Sequence, residues 1–157
     1  MDEDPAGAEF SLHATAVVIG EAGVLISGPS GAGKSALALA LMALAGRGLF
    51  VRLVGDDQVR VCVNNGRVLV RPHPVLAGRI EQRGEGVLSA LHEPAAVARL
   101  AVELCPSDRR RDIPPRMPGD EQQAILIGGV ALPRLMLPKD VSPEQGARRI
   151  HSFLRRQ

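Results

Sequence analysis

The residues with the sharpest chemical spacing in this chain are Gly28, Pro29, Ser30, Gly31, Ala32, Gly33, Lys34 and Ser35. They form G-x-x-x-x-G-K-S, preceded by the apolar run Val24 to Ser27 and followed by an Ala- and Leu-rich run. That order reads as strand, phosphate loop and helix. The glycines permit positive backbone φ angles, so the loop's N–H groups can turn inward. With the positive end of the next helix they make a seat for phosphate. Lys34 supplies a charge that can reach β- and γ-phosphates, and the Ser35 hydroxyl is placed to ligate Mg²⁺. Further along, Asp56 and Asp57 stand together at the end of an apolar run. Two carboxylates there can divide the work of phosphoryl transfer, one holding Mg²⁺ and the other taking the proton of an attacking hydroxyl. Glu81 is a third carboxylate, with Arg83 close by. Spacing alone allows either a second metal ligand or a surface ion pair. His13 precedes the first strand, and Arg116 is one arginine among several in its loop; chemistry alone does not single either out.

These groups need a scaffold. Ala16–Ile19 and Val24–Ser27 form a hairpin turned at Gly20 to Gly23, so the phosphate loop follows a hairpin and not a simple β-α unit. The run from Lys34 to Ala45 has high helix propensity and is apolar nearly all round, which predicts cover on most sides. Leu49–Val54 is the strand that presents Asp56 and Asp57. Asn64-Asn65-Gly66 marks a second hairpin between 58–63 and 67–71. Leu76 to Arg79 is a turn or a single helical turn. The glycine-punctuated 80–86 stretch reads as a functional loop. Val97–Leu104 is a strand, Ser107 to Asp120 a surface loop, Ala124–Ile127 a strand, and Leu132–Leu137 a shorter strand broken by Pro133. Ser142-Pro143-Glu144-Gln145 opens a C-terminal helix with a cap and a proline at its first position. Ala147, Ile150, Phe153 and Leu154 give that helix one apolar stripe.

The 157 residues suit one domain with one sizeable core. With no Trp or Tyr and only three Phe, that core is aliphatic. A net charge of +2, with no aromatic residues among the basic ones, gives no footprint for nucleic acid. Cys62 and Cys105 lie in apolar runs and read as buried thiols of a reducing compartment. The acidic N-terminus is unlike a signal peptide, and no run is apolar and long enough for a membrane span. A soluble, cytoplasmic protein is expected, with residues 1–10 as a flexible tail and 11–157 as the catalytic domain. No zinc spacing, nucleophile elbow or dinucleotide fingerprint is present.

Taken together, the ordered set resembles the catalytic domain of HPr kinase/phosphorylase, the bacterial regulator of the phosphotransferase system. That family places a histidine before a hairpin, then a phosphate loop, an Asp-Asp pair, an I-E-x-R-G loop, an arginine-bearing turn and a C-terminal helix. Here these are His13, Gly28 to Ser35, Asp56-Asp57, Ile80-Glu81-Gln82-Arg83-Gly84, Arg116-Met117-Pro118-Gly119 and the capped helix. The resemblance covers residues 11–156. It implies an α/β P-loop kinase of the HPr kinase and phosphoenolpyruvate carboxykinase-like type, with a central mixed sheet, antiparallel hairpins and flanking helices. By position, Lys34 would contact the transferring phosphate, and Ser35 with Glu81 would hold Mg²⁺. Asp57 would be the base toward the HPr serine, with Asp56 assisting metal or base. His13, Arg83 and Arg116 match active-site positions.

The resemblance also implies ATP and Mg²⁺ as cofactors, HPr as substrate and a hexameric homo-oligomer. Three departures stand out. The family's separate N-terminal domain is missing, as in short forms similar to those of alpha-proteobacteria. The spacing between Lys34 and Asp56 is longer than usual. The family's P-V-R-P-G-R-N-like stretch, tied to phosphorolysis of phosphoserine, is represented by Leu137-Pro138-Lys139-Asp140-Val141-Ser142-Pro143, without its arginines. The leading expectation is therefore an HPr serine kinase. A P-loop kinase of a small metabolite and a non-enzymatic nucleotide-binding regulator are the alternatives. A dedicated pocket beside Asp57 would favour the metabolite, and an open face a protein substrate.

Overall fold

The structure, a computed structural model, describes residues 7–46, 48–105 and 124–157. Among the described residues eleven strands and two helices follow one another: β1 (Phe10–Leu12), β2 (Thr15–Ile19), β3 (Ala22–Ser27), α1 (Lys34–Met42), β4 (Val51–Gly55), β5 (Val59–Asn64), β6 (Arg67–Pro72), β7 (Arg79–Gln82), β8 (Gly86–Ser89), β9 (Ala96–Cys105), β10 (Ala124–Ile127), β11 (Val130–Pro138) and α2 (Pro143–Leu154). Nine strands make one mixed sheet with the path β1-β5-β6-β9-β3-β2-β4. β9 lies parallel to β3, and its other edge is shared. Residues 96–98 pair antiparallel with β6, and residues 101–105 pair parallel with β11, which carries β10 outside it. β7 and β8 form a separate two-stranded hairpin.

The turns follow from local chemistry. The β5–β6 hairpin closes on Asn65 and Gly66, at φ 49° and 71°. A tight two-residue turn needs both residues left-handed, and Asn-Gly supplies that at low cost. In β2 and β3, alternate residues enter two cores. Val17, Ile19, Val24 and Ile26 join α1 and α2 on one face, while Ala16, Val18 and Leu25 join β5 and β6 on the other. Both cores are aliphatic, as the composition requires. Cys105 is buried, Cys62 is half-buried, and they form no disulfide.

α1 is buried along Leu37, Ala38 and Leu41, between α2 and strands β2, β3, β4 and β7. It stops at Met42, about a turn short of the expected end at Ala45. α2 begins as its sequence demands. Ser142 is extended, and its hydroxyl accepts the Gln145 N–H at 3.2 Å. Ala147 and Ile150 are buried against α1 and the sheet. Full burial of one such isoleucine contributes roughly 1.5–3 kcal/mol, so the helix is held by its stripe more than by its cap.

Three expectations need correction. Pro133 does not break the last strand; β11 runs through it. Residues 130–133 pair with β10 and residues 134–138 pair with β9, so the proline falls where the strand changes partner. A residue without an N–H is tolerated at such a junction. The 80–86 stretch is not all loop either. Ile80 to Gln82 belong to β7 and only 83–85 make the turn. Ile80, 1% exposed, anchors this short strand in the helix-side core; one buried residue in four is too little alternation to read from sequence. Phe10, assigned to the tail, is the first residue of β1 and pairs with Val61.

Among the described residues no helix is long and apolar enough to cross a membrane. Replacing Ser142 with Ala is expected to lower unfolding free energy by about 1 kcal/mol, read as a shifted urea midpoint with unchanged slope. An unshifted midpoint would mean that the cap contributes nothing measurable.

Candidate active site

The parallel relation of β3, β9 and β11 puts their C-terminal ends on one edge of the sheet. β2 is antiparallel to both β3 and β4, so the end of β4 and the start of β2 lie on that same edge. Ligands of open α/β sheets bind outside such carboxyl ends. All of the candidate residues that the structure describes gather there or on the adjoining β7–β8 hairpin.

The phosphate loop arches from Ser27 to Lys34. Gly31 and Gly33 have φ of 77° and 99°, in the region that favours glycine. A Cβ on Gly28 would stand 3.0 Å from the Leu104 carbonyl oxygen, so this position also has steric need of glycine. The Ala32 N–H donates to the Pro29 carbonyl at 3.0 Å, and α1 starts with the Leu37 N–H on Gly33. Gly33 offers no side-chain cap and the first turn holds no acidic residue. The helix's first N–H groups are thus without a side-chain acceptor, and an anion can take that place. Lys34 is 7% exposed, and its ammonium donates to the carbonyls of Gly28 and Pro29 at 3.0 and 3.1 Å. Its charge braces the arch from within.

Asp56, 5% exposed, is the junction of the site. Its Oδ1 accepts the Ser35 hydroxyl at 2.7 Å and the Thr15 hydroxyl at 2.8 Å. Its Oδ2 accepts the Glu81 N–H at 3.0 Å. The phosphate helix, the first hairpin and the β7 strand therefore meet on one carboxylate. Asp57 is its opposite. It has φ of 67°, uncommon for a residue with a side chain. The Gln58 N–H closes a three-residue turn around it on the Asp56 carbonyl at 2.7 Å. The turn leaves the Asp57 side chain 67% exposed, with its Oδ1 3.5 Å from His13 Nε2. Strained backbone of this kind clusters at sites where a side chain must be aimed.

The structure thus brings His13, Lys34, Ser35, Asp56 and Asp57 together. Glu81 enters through its backbone; its side chain is exposed on β7, and Arg83 is exposed in the turn that follows. No Glu81–Arg83 ion pair occurs among the described residues. Arg116 lies outside the described residues. The expected Mg²⁺ ligands are all oxygen donors, which suits a hard cation. Mg²⁺ keeps several waters and takes one or two carboxylates besides substrate phosphates. The hydrogen-bonded Ser35–Asp56 pair fits that requirement, even though no cluster of three or more His, Cys, Asp or Glu is found among the described residues.

Thr15 is the site residue that the sequence reading missed. It is 0% exposed, donates to Asp56 and accepts the Asp57 N–H at 3.4 Å. The available signal was one hydroxyl between Ala14 and Ala16 at the head of an aliphatic strand, two positions after His13.

A hairpin that feeds a phosphate loop, in a mixed sheet with helices on one face, defines a P-loop domain of the α/β class. The sequence profile of the HPr Serine kinase C-terminal domain matches residues 6–143. The chain belongs to that family. It is 37% identical over 138 residues to the HPr kinase/phosphorylase of Azoarcus sp. (strain BH72), covering 83% of this chain and 42% of the relative. It is 34% identical over 134 residues to that of Streptococcus thermophilus (strain ATCC BAA-491 / LMD-9), covering 82% and 42%. The chain therefore spans under half the length of these curated relatives. A solved structure, the Hpr(Ser) kinase/phosphatase from Coxiella burnetii, superposes with a TM-score of 0.73 at 23% identity, over 94% of this chain and 89% of that one. The fold expected from the resemblance is the fold observed.

Thr15→Val leaves a buried carboxylate short of one donor. It is expected to cost about 1–3 kcal/mol in urea unfolding, while Thr15→Ser, which keeps the hydroxyl, recovers most of it. Full stability in Thr15→Val with a loss in Thr15→Ser would show that the methyl packing, and not the hydrogen bond, matters.

Proposed function

We propose that this chain is the catalytic domain of an ATP- and Mg²⁺-dependent protein-serine kinase acting on HPr. The observation that carries the reading is the contrast between the two aspartates. Asp56 is buried and tied to Ser35, whereas Asp57 is exposed and aimed outward beside His13. In this reading the loop amides and Lys34 bind the phosphates, and Lys34 exchanges its loop carbonyls for phosphate oxygens. Ser35 and Asp56 would hold Mg²⁺, and Glu81, whose N–H meets Asp56, would join them by family position. The ion would neutralise charge on the β- and γ-phosphates. Asp57 accepts the proton of the attacking serine hydroxyl, and His13 orients Asp57. Arg83 and Arg116 belong to the same site by family position.

A protein substrate is favoured over a small metabolite because Asp57 stands on open surface, where a loop bearing serine can approach. The names of the curated relatives support HPr as that substrate. The transfer direction is favoured over phosphorolysis. Residues 137–143 serve here as a strand end, a turn and a helix cap, and they bring no arginine to the site. A cytoplasmic setting and a homo-oligomer, hexameric by resemblance, go with the same reading.

Incubating the protein with γ-labelled ATP, Mg²⁺ and purified HPr is expected to label HPr on serine. No label on HPr, with nucleotide still bound, would overturn HPr as substrate and leave the metabolite-kinase and regulator readings in its place. Lys34→Ala should abolish nucleotide binding in a titration; unchanged affinity would remove the loop from the proposal. Asp57→Asn should keep nucleotide binding and lose transfer by roughly 10²–10⁴-fold, and undiminished transfer would remove Asp57 as the base.

A further inference from the structure

A cavity of about 90 Å³ opens beside the phosphate loop, away from the aspartates. Its walls include Ala32 and Gly33 of the loop, Leu37 of α1, Leu104 at the end of β9, Leu137 at the end of β11 and Val141 before α2. Nothing in the phosphoryl-transfer reading uses this space. We propose that it receives the base of the nucleotide whose phosphates lie on the loop, an inference that rests on the nucleotide reading above.

The sheet order gives the direction. In the path β9-β3-β2-β4, the loop strand β3 has Asp56 and Asp57 on one side, at the end of β4. β9 and β11 lie on the other side, and the cavity sits over their ends. A nucleotide bound on the loop with its terminal phosphate toward Asp57 must extend its nucleoside the opposite way. Neighbouring strands are about 4.8 Å apart, so the ends of β9 and β11 are one and two strand widths from the loop strand. The cavity is thus within reach of a nucleoside, and its size suits one ring system and not a whole nucleotide.

The lining has the right chemistry for a flat, largely apolar ring. Six of the ten lining residues, Ala32, Leu37, Leu104, Leu137, Val141 and Pro143, are apolar, and Leu104 and Leu137 are 6% and 1% exposed. With no Trp or Tyr in the chain, these aliphatic faces supply the packing that aromatic rings provide elsewhere. Lys139 also lines the cavity, giving a methylene stem and a cation that suits an anionic nucleotide. The late stretch 137–143, which contributes nothing to the aspartate side, thereby gains a role as one wall of the base site.

The test compares ATP with inorganic tripolyphosphate, which offers the phosphates without the nucleoside. Wild-type protein should bind ATP about tenfold more tightly, the equivalent of about 1.4 kcal/mol. Val141→Trp, which fills the cavity, should reduce ATP to the level of tripolyphosphate and leave tripolyphosphate binding unchanged. In methyl NMR spectra of the wild type, ATP should shift the Leu104, Leu137 and Val141 signals and tripolyphosphate should not; this readout needs no variant. If both ligands perturb the loop amides but neither moves those methyls, the base site is overturned and the phosphate loop stands. If neither ligand perturbs the loop amides, both readings fall together.

Discussion

The Asp56 carboxylate is the constraint on which the site depends. A buried carboxylate is costly unless donors meet it, and this one has three, from β2, α1 and β7. Each donor comes from an element that brings something else. β2 places His13 just ahead of it, α1 carries Lys34 and the phosphate loop, and β7 leads to Arg83. Satisfying one acidic side chain therefore fixes the mutual placement of groups far apart in the chain. Ser35 has a double share in the proposed function, because its hydroxyl is a tie to Asp56 and is also the oxygen proposed for the metal.

Adjacent acids here have opposite circumstances. A three-residue turn with a left-handed Asp57 sends the two side chains to different places, one into the fold and one to solvent. The same logic applies to Lys34. Its ammonium holds the carbonyls of Gly28 and Pro29, so a charged side chain is spent on the shape of its own loop.

Much of this was legible in the sequence, for reasons that can be named. The phosphate loop, the Asn-Gly hairpin and the Ser-Pro cap are local chemistry, written in adjacent residues. The order of His13, the loop, the Asp-Asp pair and the I-E-x-R-G run pointed to the family. What was not legible depends on distant partners. Thr15 looks like one polar residue in a strand until Asp56 folds over it. Ile80 reads as part of a polar loop until the helix-side core takes it in. Pro133 reads as a breaker until β11 is seen to change partners at that residue. Which of two adjacent aspartates is buried is likewise decided by a turn that composition does not encode.

β9 carries a consequence for the order of assembly. It is the parallel neighbour of β3, and Leu104 on it packs against Gly28 at the foot of the loop. The strand that gives the phosphate loop its floor is made long after the loop itself, and β11, which completes the same edge, later still. Pairings between such distant segments form slowly, because the intervening chain must be ordered before they contribute. During synthesis, a nascent chain that has emerged only as far as α1 holds the complete motif from Gly28 to Ser35 but neither its floor nor Asp56. The seat that we propose for phosphate is therefore completed late, when the chain has closed on itself, and is not carried by the motif from the start.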